Sequence, residues 1–281
     1  MSGSSVDNQR SHPLIQEQHF GTIESYVLHL IHQRAYEEAC SYAKGRRVLD
    51  WGCNNGYGIE IMRPYAASIA GIDVAPHAVE AGQQRFGPDG PYIELYDGER
   101  SSFPDASFDL ITSFQLIEHI QDCGLLLREM SRLLAPGGLA LFTTPNGLQR
   151  LNPGMGPWNK FHEREFSPQE LRELLEAHFE RVEVLGLTSD GEILSIERAR
   201  LERAKKEQRR KRGPTPPTAI GRLKRQVPPL GDLYGRVRRR LLPERPLPTE
   251  QLARFSTRDL AYRADDVDAA IDLMAVCRVG A

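Results

Sequence analysis

The sequence has few cysteines and lacks any long apolar run. Its 4 cysteines in 281 residues lie far apart, at Cys40, Cys53, Cys123 and Cys277. This spacing fits neither a disulfide framework nor a zinc motif, and no secretory leader pattern is evident. We therefore expect reduced thiols in a cytoplasmic protein. No apolar run approaches the roughly 20 residues of a membrane-spanning helix, so membrane contact is expected only at the surface.

Motifs for triphosphate and metal binding are also missing. The glycine-rich stretch RRVLDWGCNNGYG contains no Gly-Lys-Ser/Thr of the kind that binds a nucleoside triphosphate. No group of His, Cys, Asp or Glu shows the spacing of metal ligands, so the sequence predicts no metal site. The formal net charge is only −2, and no overall field attracts the chain to nucleic acid or membrane.

Apolar segments alternate with helical patterns along most of the chain. A helix is predicted over 23–43, and strands are predicted at RRVLDWG, ASIAGID, PYIELYD, SFDLITSF, LALFTTP, RVEVLGL and AAIDLMAVCRV. Strands that are almost continuously apolar and alternate with helices are typical of a parallel sheet covered on both faces. The predicted fold class is therefore α/β.

Four regions follow from this pattern and from a change in composition after residue 187. We predict an N-terminal helical extension (1–44), a ligand-binding core (45–189), a basic proline-rich insertion (190–260) and a final helix and strand that complete the core (261–281). Residues 198–245 carry 17 Lys or Arg but only 4 Asp or Glu, a net charge of +13.

Three glycines follow the apolar strand VLDW. Gly52, Gly56 and Gly58 allow the backbone to turn sharply, approach a ligand and begin a helix whose amides face that ligand. The same turn also occurs as a simple connection in α/β proteins. Asp73 lies about 20 residues further on, where a carboxylate can accept both ribose hydroxyls of a nucleoside. Asp73 could equally cap a helix.

Two further acids suit a nucleoside that carries an amino acid. Asp50 would repel a pyrophosphate but attract an ammonium group. Asp97 can accept a hydrogen bond from an exocyclic amine such as that of adenine. Asp50, Asp73 and Asp97 end three successive strands on the side of the sheet where open α/β sheets bind ligands.

Five segments together carry a resemblance to a known family: VLDWGCNNGYG, GIDVAPHAVEAG, LYDGERSSFPDASFDLITSFQLIEH, LREMSRLLAPGGLALFTTPN and NKFHEREFSPQELRELL. They resemble the class I S-adenosylmethionine-dependent methyltransferases of the type 11/23 group, over residues 20–187 and the last strand. The resemblance implies a Rossmann-like, doubly wound, mostly parallel seven-stranded sheet with helices on both faces. It also implies S-adenosyl-L-methionine as the cofactor.

The resemblance further implies a set of cofactor-binding residues. Asp50 and Gly52 would hold the methionine moiety, Asp73 the ribose, and Asp97 with Gly98 the adenine. Gln115 would lie beside the sulfonium. The full expected set is Asp50, Gly52, Cys53, Asn55, Gly56, Tyr57, Asp73, Val74, Asp97, Gly98 and Gln115. Asn54 and Asn55 stand where many members have Gly-Thr, and Asn tolerates the left-handed backbone that such a turn requires.

Three residues are candidates for the chemistry. Methyl transfer to a hydroxyl requires a base, and His119 and His162 lie where the family places the acceptor. His119 could instead pack against the next helix, and His162 could position its loop through Glu165. Glu118 could orient either histidine or face the sulfonium as an electrostatic partner. It could also be a solvated acid at a helix start.

The expected acceptor is a hydroxyl. Base N-methyltransferases of this fold usually carry a Pro-Pro-aromatic tetrapeptide after the fourth strand, and SFQLIEH does not match it. The segments SFQLIEH, TTPN and NKFHEREFSP resemble glycan and natural-product O-methyltransferases. We therefore expect O-methylation of a sugar hydroxyl of a polysaccharide or glycolipid precursor. The alternatives are an isoprenoid, quinone or polyketide acceptor, and a non-catalytic nucleoside-binding module.

The basic stretch predicts an amphipathic helix. Apolar residues at helical spacing are interleaved with arginines, namely Leu230, Leu233, Val237 and Leu241 with Arg236, Arg238, Arg239 and Arg240. Such a helix would bind an anionic membrane at the inner face or a phosphate-bearing acceptor, and a solvated linker is the alternative. Nucleic acid is not expected, because aromatic residues for base stacking are nearly absent from the stretch.

Overall fold

A computed structural model of the protein describes residues 10–15, 17–18, 20–189, 191–212 and 246–280. Its strands are β1 (Arg47–Trp51), β2 (Ser68–Asp73), β3 (Ile93–Leu95), β4 (Phe108–Phe114), β5 (Leu134–Pro145), β6 (Arg181–Ser189), β7 (Leu260–Arg263) and β8 (Asp272–Arg278). In this part of the chain the strands form one eight-stranded sheet in the order β3-β2-β1-β4-β5-β8-β6-β7.

The helices lie mainly between consecutive strands. They are α1 (Ile23–Ala43), α2 (Tyr57–Met62), α3 (Pro76–Phe86), α4 (Cys123–Leu133), α5 (Gly147–Arg150), α6 (Pro168–Glu176), α7 (Glu192–Arg212) and α8 (Thr249–Leu252). A short 3-10 helix, Ile117–His119, follows β4. Capping residues fix several helix starts. Thr22 and Ser167, for example, each form a capping box with the third residue of α1 and α6.

Helices cover the sheet on both faces, and alternate residues of each strand point to opposite sides and pack against them. Val48 and Leu49 on β1 illustrate this arrangement. Val48 packs with residues of α1 and α2 on one face. Leu49 packs with residues of α4 and α6 on the other. The near-continuous apolar strands seen in the sequence therefore occupy the middle layer of a three-layer α/β/α fold.

The ligand-binding edge of the sheet lies where the strand order reverses. β1 pairs in parallel with β2 on one side and with β4 on the other. The chain therefore runs outward from β1 through β2 to β3 and then returns to the other side of β1 at β4, which opens a crevice at the carboxyl ends of these strands. The Rossmann-like α/β fold expected from the sequence is confirmed.

The strand count differs from the expected seven. The additional strand, β7, has the sequence LAYR and pairs antiparallel with β6 at the sheet edge. Its four residues are too few to show the alternation that identifies a strand in sequence. The last strand, β8, pairs antiparallel with both β5 and β6, so it lies inside the sheet.

The predicted basic insertion begins inside the fold. On α7, Ile193 and Leu201 are buried against α1, in a cluster that also contains Leu30. The predicted amphipathic helix around 230–241 lies outside the described residues. Among the helices that are described, none combines the length and the apolar character needed to cross a bilayer.

Candidate active site

A cavity of about 510 Å³ lies at the carboxyl ends of β1, β2 and β4. Its volume falls in the range of small-molecule sites, about 300–1,000 Å³. Eight of the residues predicted for the site line it: Gly52, Asp73, Val74, Gly98, Gln115, Glu118, His119 and His162. Segments far apart in sequence therefore meet at one edge of the sheet.

The glycine-rich turn is fastened to the end of β2. The amides of Gly52 and Cys53 donate to the carbonyl of Ile72 at 2.8 and 3.1 Å. Gly52 has a φ of +81° and Asn54 one of +47°, so the turn uses left-handed backbone at both positions. Asparagine thus adopts here the conformation that its short polar side chain tolerates.

Asp73 is held in a fixed orientation at the cavity wall. Its Oδ2 accepts from the Asn54 amide at 2.8 Å, and its Oδ1 accepts from the Ala75 amide at 2.9 Å. Burial raises the pKa of Asp73, and these hydrogen bonds oppose the shift. Each carboxylate oxygen keeps a further lone pair for a ligand hydroxyl.

Six predicted residues lie outside the cavity lining in the described part of the chain: Asp50, Cys53, Asn55, Gly56, Tyr57 and Asp97. Asp50 is fully buried beneath the turn. Its Oδ1 accepts from the Thr112 hydroxyl at 2.8 Å, and the Tyr36 hydroxyl lies 3.3 Å from its Oδ2. Burial raises the pKa of Asp50 to about 7.

Three other members of this group, Cys53, Tyr57 and Asp97, contact neighbouring protein groups. Cys53 packs with Ile59 and Val79. The ring of Tyr57 lies edge-on to Tyr36 at 5.8 Å. Asp97 is exposed, and its Oδ1 accepts from the amides of the next turn, those of Glu99 and Arg100.

At the other end of the cavity, Glu118, His119 and His162 come together. One ligand-type atom from each side chain lies within 4.8 Å of the others. Glu118 and His119 belong to the 3-10 helix after β4, and His162 belongs to the loop after α5. The two imidazole rings are 4.6 Å apart and nearly perpendicular.

Hydrogen bonds join this loop to the 3-10 helix. The carbonyl of Glu118 accepts from the amides of Glu163 and Arg164. The Nδ1 of His119 lies 2.8 Å from the carbonyl oxygen of Phe161. Because a carbonyl only accepts, Nδ1 of His119 carries the proton and Nε2 keeps the lone pair.

Glu165 positions His162. Its Oε1 lies 3.0 Å from Nδ1 of His162. Its Oε2 lies 2.8 Å from Nε of Arg150, as an ion pair without hydrogen-bond geometry. The side chain of Glu165 has no exposed surface, so the dyad is shielded from water. A carboxylate bound to one imidazole nitrogen leaves the other to face the cavity as base or ligand.

Burial sets the charge of the neighbouring groups. It raises the pKa of Glu118 to about 7, and the nearby His162 opposes this shift. Burial and the proximity of His162 lower the pKa of His119 to about 4, so His119 is neutral at pH 7. The Thr144 hydroxyl donates to Oε2 of Glu118 at 3.0 Å, whereas Oε1 has no partner among the described residues.

Gln115 lines the cavity from a strained turn after β4. It has a φ of +52°, which is unusual for a residue other than glycine. Its Nε2 donates to Oδ2 of Asp272 on β8 at 2.9 Å. Backbone strain of this kind costs on the order of 1–3 kcal/mol and occurs mostly at functional sites. The last strand therefore holds Gln115 in place.

Sequence reasoning missed the contribution of the N-terminus. Residues 12–15 and 17, which we call the N-terminal strap, run along the glycine-rich turn. Asn54 accepts from the Ile15 amide and donates to the Pro13 carbonyl, and Asn55 donates to the Ile15 carbonyl. His12 lines the cavity, with its ring 5.4 Å from that of His119.

Sequence reasoning also missed three residues of the cavity lining near His162. Trp158, Arg150 and Arg200 line the cavity. The Arg150 guanidinium lies 4.3 Å from the centre of the Trp158 ring and that of Arg200 lies 5.6 Å away. Arg200 belongs to α7, so the basic stretch contributes a side chain to the cavity lining. The Trp158 indole N–H is buried without a partner in the described part of the chain.

Comparison with known proteins agrees with this geometry. The methyltransferase-domain family matches residues 22–180, more than half of the chain. The chain belongs to this family. Proteins of this family are class I methyltransferases, and their cofactor is S-adenosyl-L-methionine, as the resemblance in sequence had implied.

Individual relatives of this methyltransferase were found by sequence. A probable S-adenosylmethionine-dependent methyltransferase of Mycolicibacterium smegmatis is 36% identical over 160 residues, 56% of this chain and 60% of that protein. A ubiquinone biosynthesis O-methyltransferase of Azorhizobium caulinodans is 29% identical over 165 residues, 52% of this chain and 64% of that protein. The chain thus spans about 60% of the length of the curated relatives it matches.

Solved structures share the fold of this methyltransferase. The [4+2]-cyclase SpnF superimposes with a TM-score of 0.55 at 17% identity, covering 98% of this chain and 93% of that one. The YcgJ protein of Bacillus subtilis gives 0.52 at 17% identity, covering 89% and 100%. At this identity the likeness concerns the fold alone.

The residues of the cavity fit the cofactor of the family. Asp73 offers two oriented carboxylate oxygens to ribose hydroxyls. Gly52 lines the cavity without a side chain, so a ligand can approach its backbone closely. Trp51, Val74 and Tyr96 provide apolar lining near Gly98, where an adenine ring would be buried.

Proposed function

We propose that this methyltransferase transfers a methyl group from S-adenosylmethionine to a hydroxyl oxygen, and that the acceptor is a sugar of a polysaccharide or glycolipid precursor. The observation that carries the proposal is the His162–Glu165 dyad beside Glu118 and His119, at the end of the cavity away from Asp73. This end of the cavity offers a base to the hydroxyl group that would be methylated. The other end offers the carboxylate oxygens of Asp73 to a nucleoside.

The cofactor's residues would be Asp73 for the ribose, the Gly52 turn for the methionine part and Gln115 beside the sulfonium. Bound S-adenosylmethionine supplies the methyl group, whose carbon–sulfur bond breaks with its electron pair left on sulfur as the new carbon–oxygen bond forms. Asp50 would act from beneath the turn, since its carboxyl group is buried outside the cavity lining.

His162 would remove the proton of the acceptor hydroxyl. With Glu165 bound to Nδ1, Nε2 of His162 accepts that proton, and the imidazolium is stabilised by the carboxylate. The proton then passes from His162 to water. The remaining groups orient the acceptor so that its oxygen lies opposite the breaking bond, which is the main requirement of an in-line displacement.

Trp158, Arg150 and Arg200 support a glycan-type acceptor. The unpartnered indole N–H of Trp158 can donate to a ring or hydroxyl oxygen of a sugar. The two arginines are paired with Glu165 and Glu197, and their remaining guanidinium N–H groups would donate to a phosphate on a lipid-linked precursor. Together they describe a site for a sugar that carries an anionic group.

A second acceptor is a phenolic hydroxyl of a quinone-type molecule. The ubiquinone biosynthesis O-methyltransferases among the relatives favour this candidate. The apolar side chains of Leu28, Phe114 and Leu126 in the lining would bury an aromatic ring. A non-catalytic nucleoside-binding role is the least supported, because it leaves the buried His162–Glu165 dyad without a purpose.

The test is transfer of labelled methyl from S-adenosylmethionine into acceptor fractions, with glycolipid and quinone extracts incubated separately. We expect label in the glycolipid fraction that is lost with the His162→Ala variant. Label confined to the quinone fraction would replace the first acceptor with the second. Label in neither fraction, with cofactor binding intact, would support the non-catalytic role.

A further inference from the structure

Glu118, His119 and His162 have the composition of a metal centre. Two imidazoles and one carboxylate form the protein ligand set of catalytic zinc sites, which leave one position open for a substrate oxygen. The three side chains lie within 4.8 Å of one another. This set was not apparent from the sequence, because His162 follows His119 by more than 40 positions and only the fold brings them together.

We propose that these three residues bind a divalent transition-metal cation of the zinc type, and that the acceptor hydroxyl takes its open position. The inference rests on the proposed methyl transfer, since it assigns the cation to the same acceptor end. Nitrogen and carboxylate ligands favour zinc, cobalt or iron over magnesium and calcium, which prefer oxygen ligands.

Each histidine is oriented as a metal ligand would be. Metal-binding histidines usually donate their second ring N–H to a carboxylate or a backbone carbonyl. His162 has Glu165 at Nδ1 and His119 has the Phe161 carbonyl at Nδ1. Both partners direct the lone pair to Nε2, and both belong to the loop that hydrogen bonds attach to the 3-10 helix.

Glu118 supplies the negative charge. Its side chain is fully buried, and Thr144 satisfies only Oε2. Oε1 has no partner among the described residues, and an unpaired buried carboxylate is costly to maintain. The neighbouring Arg150 is already paired with Glu165. A bound cation would therefore satisfy the one open oxygen of this carboxylate.

The geometry requires a small closure. A tetrahedral cation with bonds of about 2.1 Å holds its ligands about 3.4 Å apart. The widest pair of the cluster must therefore approach by at most roughly 1.4 Å, which a rotation of the His162 or Glu118 side chain supplies. The His162 loop contains Lys160 and Asn159, which are partly exposed, so it can accommodate this shift.

With the cation present, the proton of the acceptor leaves by a different route. The acceptor O–H bond breaks, its electron pair stays on the oxygen bound to the cation, and the proton passes to water. Binding to such a cation lowers the pKa of a hydroxyl ligand by several units. His162 is then a ligand, and its role as base in the proposed function applies to the metal-free protein.

Direct binding of Co²⁺ and Zn²⁺ tests the proposal. The full chain is stripped with a chelator and titrated with Co²⁺, followed by visible absorption, and with Zn²⁺, followed by calorimetry. We expect one equivalent per chain and the strong visible bands of tetrahedral cobalt. Glu118→Gln and His119→Ala should abolish saturable binding. Glu165→Gln, which removes only a positioning residue, should weaken it about 10- to 100-fold.

The matched control is the His178→Ala variant. His178 follows α6 and is not among the described residues that line the cavity. This variant should bind cobalt like the wild type. Cofactor affinity of the stripped protein is measured in parallel. No saturable cobalt binding, or binding that survives Glu118→Gln and His119→Ala, would overturn the cation site. Methyl transfer that persists with chelator would then leave the His162 base in place.

Discussion

At the scale of single residues, we expect cofactor binding to depend most on Asp73. Asp73→Ala removes both carboxylate oxygens from the cavity wall, and each lost charge-assisted hydrogen bond should cost about 1.5–3 kcal/mol. Calorimetry with S-adenosylmethionine should therefore show a loss of affinity of at least about 10-fold. Asp89→Ala, at an exposed carboxylate, is the control. Wild-type affinity in a folded Asp73→Ala variant would show that Asp73 does not bind the ribose.

His162 should affect turnover and spare cofactor binding. His162→Ala should lower the rate on the order of 100-fold or more, the usual contribution of a general base, while affinity for S-adenosylmethionine persists. The rate and the affinity are measured on the same preparation. If His119→Ala abolishes turnover and His162→Ala leaves it unchanged, the two histidines have the opposite roles. Loss in both variants is the outcome that the cation site requires.

Asp50 should make the stability of the fold depend on pH. Its pKa is raised to about 7 in the folded protein by burial, against the opposing effect of Thr112 and Tyr36, and Asp73 adds to the rise. Between about pH 4 and pH 7 the folded state holds a proton that the unfolded state has released. The free energy of unfolding therefore falls as pH rises, by at most about 1.4 kcal/mol per pH unit from this group.

The Asp50→Asn variant isolates this effect, since Asn keeps an oxygen that can accept from Thr112. We expect Asn at this position to gain stability relative to wild type as pH increases from 4.5 to 7, with a constant difference above pH 8. Urea unfolding of both proteins across this range gives the difference. A difference that does not change with pH would mean that Asp50 ionises in the folded state at its ordinary pKa.

At the scale of elements, a single substitution should detach the N-terminal strap from the glycine-rich turn without altering the turn itself. Asn54→Gly keeps the left-handed backbone of the turn but removes the side-chain bonds to Pro13 and Ile15. A hydrogen bond contributes about 0.5–1.5 kcal/mol, so amide exchange at Ile15 should become roughly 2- to 10-fold faster. Hydrogen–deuterium exchange measures this rate.

The exposed Gln84→Ala serves as the comparison for the strap. Its side chain donates to Glu80 and makes no described contact with the strap, so Ile15 should exchange as in the wild type. Unchanged exchange at Ile15 in Asn54→Gly would mean that the remaining contacts, the Asn55 hydrogen bond to the Ile15 carbonyl and the ion pair of Glu17 with Arg85, hold the strap without Asn54.

Most elements could be predicted from the sequence, because their patterns are local. Helix α1 has the bounds 23–43 that its periodicity and Gly45 indicate. β7 could not be found in this way, since LAYR gains its strand conformation from pairing with β6. The position of β8 between β5 and β6 is a property of the whole sheet and leaves no mark on the residues of that strand.

The residues of the site also fall into two groups, those that a local motif predicts and those that only the fold brings to the cavity. Gly52 and Asp73 are set by a strand, a turn and a second strand within about 25 residues, and the family motif records them. His12, Trp158 and Arg200 enter the cavity from a terminal segment, a loop and a helix rich in charge. Their contribution depends on contacts across the fold. Their residue types are common on any surface, so the sequence alone does not distinguish them.

At the scale of the whole molecule, the basic stretch should attach the protein to an anionic surface. Because Arg200 and Leu201 on α7 belong to the fold, the segment proposed for this role is 213–245. Replacement of this segment by an uncharged linker of equal length should leave cofactor affinity unchanged. It should abolish co-sedimentation with vesicles that contain anionic lipid, since each basic residue near such a surface contributes about 1 kcal/mol.

Salt and charge provide the controls for the vesicle experiment. Binding should weaken as salt shortens the Debye length from about 10 Å at 0.1 M to about 3 Å at 1 M. Changing Arg236, Arg238, Arg239 and Arg240 to Gln should remove most of it. Equal sedimentation with neutral and anionic vesicles, or none with either, would leave an acidic acceptor or a solvated linker as the role of the segment.

The interior position of β8 also governs when the molecule can be assembled during its synthesis. β6 and β7 reach the rest of the sheet only through β8, and Asp272 on β8 fixes Gln115. At about 5–20 residues per second, a ribosome adds β8 on the order of 5–18 s after β6 is complete. During that interval the edge of β6 that pairs with β8 has no partner strand. The Asp272 contact that holds Gln115 in the cavity lining forms only when β8 is inserted.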